Sequence, residues 1–194
     1  MNPMERTAII EYLRRGLSPH RFQHCLGVET AALELAAKFG VDSKQASVAA
    51  LLHDLCREYA PDLLLQLANK FGIVIDEIER AEPILLHGFV GAELAKRELN
   101  VVDPQILEAI SYHITGAVNL SRLAQLIFVA DFVEPGRNFA FVKEFRKNIP
   151  TLTPEQILLA IYNQTICYVV AKGYLIHPRS IEGRNELLLK ESNE

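Results

Sequence analysis

The sequence lacks the charge excess and the long apolar runs that mark two large classes of proteins. Its 194 residues carry a formal net charge of −4, whereas a nucleic-acid-binding surface needs a basic patch or stripe. No apolar run reaches the roughly eighteen residues of a membrane span, and residues 1–6 lack the apolar core of a signal peptide. We therefore expect a cytoplasmic protein that binds neither nucleic acid nor membranes.

Cysteine is scarce and several catalytic motifs are absent. Cys25, Cys56 and Cys167 are far apart and form no C-x-x-C spacing, so the sequence suggests neither a disulfide framework nor a thiolate zinc site. No G-x-S-x-G elbow or phosphate-binding glycine loop occurs, which gives serine–histidine catalysis little support. A chain of this length suits a single domain, residues 1–194, that is stable without disulfides.

The sequence does contain the periodicity and the boundary signals of helices. Apolar residues recur at spacings of three and four, Ser18 and Pro19 form a cap and first-turn pair, and Thr153 with Gln156 matches a capping box. The predicted helices cover about residues 4–15, 19–40, 42–58, 62–71, 84–99, 104–114, 120–133 and 153–173, with His53 and Asp54 near the end of the third. Residues 139–145 are predicted to be an amphipathic connection and those after Gly173 a polar tail, without a convincing strand. The pattern predicts an all-α bundle.

Several histidines and aspartates interrupt or end these apolar helical runs: His24, His53, Asp54, His87, His113 and Asp131. A single core histidine is ordinarily satisfied by a backbone carbonyl, but six such groups would be hard to neutralise that way. Ligands on facing helices of a bundle converge on its axis. Four imidazoles and two carboxylates exceed the needs of one four-coordinate ion, so the pattern predicts two metals that share a carboxylate, with Asp54 as the natural bridge. These donors suit iron, manganese, zinc or cobalt better than calcium.

These residues resemble the pattern of the HD-domain metal-dependent phosphohydrolases. The family's isolated histidine, His-Asp pair and later aspartate would be His24, His53 with Asp54, and Asp131. His87 and His113 resemble the expanded pattern of its dinuclear members. The resemblance implies an all-α HD-domain helical bundle with a central metal site. Its HD core would cover about residues 19–137, and a C-terminal helical part, residues 138–194, would complete the nucleotide pocket.

More narrowly, the sequence is similar to the YqeK family of bacterial symmetrical dinucleoside tetraphosphate hydrolases. The similar stretches are residues 21–28, 51–54, 87–92, 112–116, 130–137 and 172–178. Phe89 stands where the family has proline, Ile114 where threonine is usual, and Arg57 where lysine is common. These departures remove no ligand and no positive charge, so they bear on substrate preference more than on chemistry.

The YqeK resemblance implies that a di-metal centre, with iron as the first choice, splits diadenosine tetraphosphate into two ADP by attack of a water held by the metals. His24, His53, Asp54 and Asp131 would bind one ion, and Asp54, His87 and His113 the other. Asp54 and Arg57 are the expected catalytic residues.

The expected substrate-binding residues combine arginines that clamp phosphate oxygens with a turn that holds a nucleoside. They are Arg21, Arg57, His87, His113, Ile114, Asp131, Arg137, Tyr174, Leu175, Ile176 and His177. The partner is a small nucleotide, and a homodimer is expected as well. Two alternatives stay open: a mononuclear nucleotidase acting on nucleoside mono- or triphosphates, in which His87 and His113 are ordinary core residues, and a non-catalytic nucleotide-sensing module.

Overall fold

The computed structural model describes residues 5–191, and within them it is helical throughout. The α-helices are α1 Arg6–Gly16, α2 Pro19–Phe39, α3 Ser43–Leu52, α4 Pro61–Phe71, α5 Glu77–Ala81, α6 His87–Glu98, α7 Pro104–Tyr112, α8 Arg122–Val133, α9 Ala140–Asn148, α10 Pro154–Ala171 and α11 Pro178–Glu191. Short 3₁₀ turns cover Pro83–Leu86 and Ile149–Thr151. No strand occurs in residues 5–191, which confirms the all-α class; Met4, the expected start of the first helix, lies outside this range.

The helix ends follow the local chemistry of the sequence. The Ser18 side chain accepts a hydrogen bond from the backbone N–H of Arg21 and caps α2. Thr153 and Gln156 form both hydrogen bonds of a capping box at the start of α10. α2 ends at Gly40 with φ 67°, a left-handed conformation that glycine adopts without steric cost. Such caps satisfy backbone groups that a helix terminus leaves unpaired.

Three sequence predictions need correction. The helix predicted over about residues 42–58 ends at Leu52, so His53 and Asp54 lie in the turn that follows α3. Residues 139–145 contribute to a helix, α9, rather than to a connection. The expected polar tail contains α11, which is fixed by hydrogen bonds from Arg184 to Asn163 and from Ser180 to the carbonyl of Thr115. These tertiary contacts have no signature in the local apolar pattern.

The buried core surrounds the turn after α3. Leu51, Leu52, Ile110, Leu126 and Ile127 are fully buried on α3, α7 and α8. The packing therefore brings the ends of several helices to one point in the interior.

No helix within residues 5–191 combines the length and apolar character needed to cross a membrane.

One close helix contact positions two of the histidines. A Cβ added to Gly88, near the start of α6, would lie 2.6 Å from the carbonyl oxygen of Ser111 on α7. Only glycine permits this approach of the two backbones. Because His87 precedes Gly88 and His113 closely follows Ser111, the contact sets the distance between the two imidazoles.

Candidate metal centre

The six histidines and aspartates singled out from the sequence meet in space. His24 lies in the second turn of α2, His53 and His113 directly follow α3 and α7, His87 begins α6, and Asp131 lies in the last turn of α8. The four histidines and Asp54 are buried, whereas the Asp131 side chain is 23% exposed. The cluster is thus an interior site that reaches solvent on one side.

Asp54 occupies the centre of the cluster and divides it into two groups. Its Oδ2 atom lies 3.4 Å from Nε2 of His24 and 3.4 Å from Nε2 of His53. Its Oδ1 atom lies 3.0 Å from Nε2 of His87 and 3.6 Å from Nε2 of His113. Asp131 joins the first group, with Oδ1 3.1 Å from Nε2 of His24. Each oxygen of one carboxylate therefore faces its own pair of imidazoles.

Local backbone contacts fix the orientation of three imidazoles. Nδ1 of His53, His87 and His113 lies 2.6, 2.5 and 2.8 Å, respectively, from the carbonyl oxygen of the residue three positions earlier. A carbonyl only accepts hydrogen bonds, so each Nδ1 carries the proton that it donates. In the neutral imidazole this leaves Nε2 with a lone pair directed into the site.

The Nε2 atoms face each other across both halves of the cluster. Nε2 of His24 lies 3.3 Å from Nε2 of His53, and Nε2 of His87 lies 3.2 Å from Nε2 of His113. Nitrogen atoms this close to one another and to carboxylates require positive charge between them, supplied by protons or by metal ions. Nitrogen and oxygen donors in this arrangement fit zinc or a first-row transition metal, so the residues present fit the predicted metals.

The electrostatics of the site also favour cations. Burial alone would raise the pKa of Asp54, but the charge of His53 and hydrogen bonds from three histidines hold it well below its ordinary value. Burial would likewise raise the pKa of Asp131, yet a hydrogen bond from His24 and the charges of His53 and Arg137 lower it. Burial would lower the pKa of His53, but the charges of Asp54 and Asp131 and the hydrogen bonds to Asp54 and to the carbonyl of Ala50 together raise it. Both carboxylates are therefore ionised near neutral pH and attract protons or metal ions to the imidazoles.

A cleft of about 500 Å³ opens from the cluster, and three arginines line it. Arg21 donates from Nη1 to Oδ2 of Asp54 at 2.7 Å, and its buried Nε has no hydrogen-bond partner within residues 5–191. Arg137 donates from Nη2 to Oδ1 of Asp131 at 2.7 Å. Arg57 and Ile114 also line the cleft. The guanidinium groups of Arg21 and Arg137 beside the carboxylates, with Arg57 in the cleft lining, create a surface suited to anionic oxygens.

The predicted nucleoside-binding turn, residues 174–177, is not part of the described cleft lining. Tyr174 is 58% exposed, whereas His177 is buried with Nε2 3.1 Å from Oδ2 of Asp76 and 3.6 Å from Oε1 of Glu79. Arg179 supplies the positive charge here, donating to Oε1 of Glu79 at 2.7 Å. His177 thus ties the turn to the start of α5, and a nucleoside contact of this turn stays a prediction.

Glu134 belongs to the site and was not predicted from the sequence. It is 4% exposed, and its Oε1 atom lies 3.2 Å from Nδ1 of His24, where the other three histidines have a backbone carbonyl. A Cβ added to Gly27 would lie 2.5 Å from Oε2 of Glu134, so glycine makes room for the carboxylate. The only sequence signal is weak: Gly27 lies three residues after His24, on the same helical face.

Arg146 of α9 holds the turn that carries Glu134. Its side chain donates to the backbone carbonyls of Val133 and Arg137 at 2.6 and 2.9 Å and also to that of Glu134. The turn after α8 is therefore fastened from outside, by the helix that follows it.

Comparison with known proteins defines the class. Residues 21–136 match the family model described as "HD domain". The chain therefore belongs to the HD-domain family of metal-dependent hydrolases, and this membership implies dependence on a divalent metal.

Over most of its length the chain is also similar to proteins named "Bis(5'-nucleosyl)-tetraphosphatase, symmetrical". The relative from Bacillus subtilis is 34% identical over 90% of this chain and 93% of its own. That from Halalkalibacterium halodurans is 31% identical over 97% of this chain and 100% of its own. A solved structure from Clostridium acetobutylicum, described as a predicted HD superfamily hydrolase involved in NAD metabolism, shares 33% identity and a TM-score of 0.92, covering 97% of this chain and 100% of that one.

Proposed function

We propose that this protein hydrolyses diadenosine tetraphosphate and related dinucleoside polyphosphates symmetrically, giving two ADP. The observation that carries the proposal is the position of Asp54, whose two oxygens face separate histidine pairs. This is the arrangement expected of a carboxylate shared by two ions. Relatives at 34% and 31% identity bear the name of that activity.

Each half of the cluster would hold one ion. His24, His53 and Asp131 would bind the first, His87 and His113 the second, and Asp54 both. Iron is our first choice; manganese, cobalt and zinc suit the same donors. Two such ions, when bound, supply Lewis acidity at the phosphoryl oxygens and a nucleophile at neutral pH.

The arginines of the cleft would position the polyphosphate. Arg21 has an unpaired Nε beside Asp54, and the Arg57 side chain forms no hydrogen bond within residues 5–191. Both can therefore donate to phosphate oxygens, and Arg137 can do so next to Asp131. Symmetric cleavage requires the central anhydride at the metal centre, with one nucleoside on each side of it. In-line displacement at that bond gives two identical products.

The remaining parts of the proposal concern the nucleoside and the setting. We propose that Tyr174, Leu175, Ile176 and His177 contact one nucleoside; the sequence resemblance and the anchoring of His177 by Asp76 support this. A cytoplasmic location and a homodimer complete the proposal, and cell fractionation and light scattering test them.

The central test is anaerobic purification in the presence of iron, metal counting and chromatography of the products from diadenosine tetraphosphate. We expect two metals per chain and ADP as the sole product, whereas AMP with ATP would contradict symmetric cleavage. In a mononuclear nucleotidase, His87→Ala and His113→Ala would each leave one metal per chain, as in the unaltered protein. Many turnovers per enzyme molecule would exclude a sensing module.

A further inference from the structure

Three exposed aromatic side chains line the cleft that opens from the histidine cluster. Phe139, Phe141 and Tyr168, here called the aromatic wall, line the same cleft as Asp54 and the arginines. Phe139 is 64% exposed, Phe141 38% and Tyr168 53%. Clustered exposed apolar surface next to a polar site commonly marks a place where a ligand binds.

The elements beneath the aromatic wall give it a defined shape. The Phe141 ring stacks on Phe145 at a centroid distance of 5.3 Å and meets Phe132 edge to face at 6.1 Å. Tyr168 lies on the face of α10 that also presents Gln164 and Thr165 to the cleft. Phe141 is thus oriented by the protein, while its outer side stays open to the cleft.

Two polar side chains accompany the aromatic wall without partners of their own. Neither Gln164 nor Thr165 forms a side-chain hydrogen bond within the described part of the chain. A glutamine amide donates and accepts side by side, which matches the hydrogen-bonding edge of a nucleobase. The aromatic wall therefore combines flat apolar surface with a glutamine amide that can contact the edge of a base.

We propose that the aromatic wall is a nucleobase subsite, with Gln164 contacting the edge of the base, and this inference rests on the proposed function. A dinucleotide whose central anhydride lies at the metals must extend one nucleoside along the cleft. The phosphates then meet Arg21, Arg57 and Arg137, and the base reaches Phe139, Phe141 and Tyr168. Stacking of a base on aromatic rings is the common means by which proteins hold single bases.

The test compares a ligand that has bases with one that lacks them. Binding to the metal-loaded protein is measured by calorimetry for the methylene-bridged, non-hydrolysable analogue of diadenosine tetraphosphate and for inorganic tripolyphosphate. We expect Phe139→Ala and Tyr168→Ala each to weaken binding of the analogue about 10-fold, the loss typical of one base stack. Tripolyphosphate binding should change less than about 2-fold, since no base is involved.

Three further variants test whether the aromatic rings and the glutamine amide are responsible for the effect. Val170→Ala alters an exposed residue of α10 outside the cleft lining, 58% exposed, and should leave both affinities unchanged. Tyr168→Phe retains a ring and should bind the analogue nearly as well as the unaltered protein. Gln164→Ala should weaken binding of the analogue and leave tripolyphosphate binding unchanged, because the amide contacts only the base.

Three results would overturn the inference: equal losses for both ligands, no loss for the analogue, or a change of oligomeric state in the Phe139 and Tyr168 variants. The last would make the aromatic wall a contact between copies of this chain. Because binding is measured without turnover, the outcome is independent of hydrolysis. Failure of the unaltered protein to cleave diadenosine tetraphosphate would instead count against the proposed function.

Discussion

The two oxygens of Asp54 face the two halves of the cluster. Replacing Asp54 therefore distinguishes a carboxylate shared by two ions from one that binds a single ion. We expect Asp54→Asn to lose metal from both halves, because an amide cannot offer two anionic oxygens. Hydrolysis of diadenosine tetraphosphate should fall by more than about 100-fold, beyond the loss typical for residues that only support a ligand. Metal analysis of the purified variant checks the expectation, and retention of one full equivalent would contradict it.

Glu134 offers a finer prediction, because it touches His24 alone among the histidines. Glu134→Gln keeps the size of the side chain but weakens the acceptor for Nδ1 of His24. We expect metal affinity in the His24 half of the cluster to fall about 10–100-fold, while the His87 half keeps its ion. Competition with a chelator measures this. Glu144→Gln, at a side chain that is 69% exposed, is the control and should have no effect.

The sequence singles out the buried histidines of the cluster, but not the residues that support them. His24, His53, His87 and His113 stand in apolar helical runs, where an unpaired polar group is costly, so their position alone points to a shared partner. Glu134 precedes Pro135 and Gly136 and therefore looks like part of an ordinary helix end. Its role depends on the distance between α2 and the end of α8, which no local pattern specifies.

At the level of helices, two glycines of α6, Gly88 and Gly91, allow a paired test of how closely α6 must pack on α7. Gly88→Ala would place a Cβ 2.6 Å from a backbone oxygen of α7, so the helices must separate. We expect the free energy of unfolding to fall by about 1–3 kcal/mol, as for other overpacked cores. The His87 half should also bind its metal more weakly. Thermal denaturation and metal titration measure the two effects.

Gly91→Ala is the matched control on the same helix. Its added Cβ would meet Cγ2 of Ile110 at 3.6 Å, an ordinary contact. Alanine favours the helix by roughly 1 kcal/mol over glycine, so stability should be unchanged or increased. Equal losses in the two variants would show that crowding at Gly88 is not the cause.

The elements that the sequence fails to predict share a physical reason. α11 has a mostly polar surface, and within the described residues only Leu187 among its apolar side chains is buried. Contacts such as Ser180 with the carbonyl of Thr115 hold it in place. α9 carries Phe141, whose ring meets Phe132 of α8 and Phe145 of α9. Local periodicity cannot reveal a helix or a wall that tertiary packing creates.

For the whole molecule, the metals should act as internal cross-links between α2, α6, α8 and the turns after α3 and α7. A ligand that binds only the folded state stabilises it by about 2.7 kcal/mol at a hundred times its dissociation constant. We therefore expect the melting temperature to rise on addition of iron or manganese and to fall with a chelator. Thermal scans of the Asp54→Asn variant should show no such dependence; a similar rise there would indicate binding elsewhere.

The hydrogen bonds from Arg146 to the turn after α8 limit how α9 can be redesigned. One guanidinium reaches three carbonyls of the turn that carries Glu134 and Arg137, while its own helix carries Phe141. The proposed base side and the proposed phosphate side of the cleft are therefore not separate modules. An engineer who grafts a different α9 to alter base preference must leave position 146 as arginine, or the new helix will also distort the metal side.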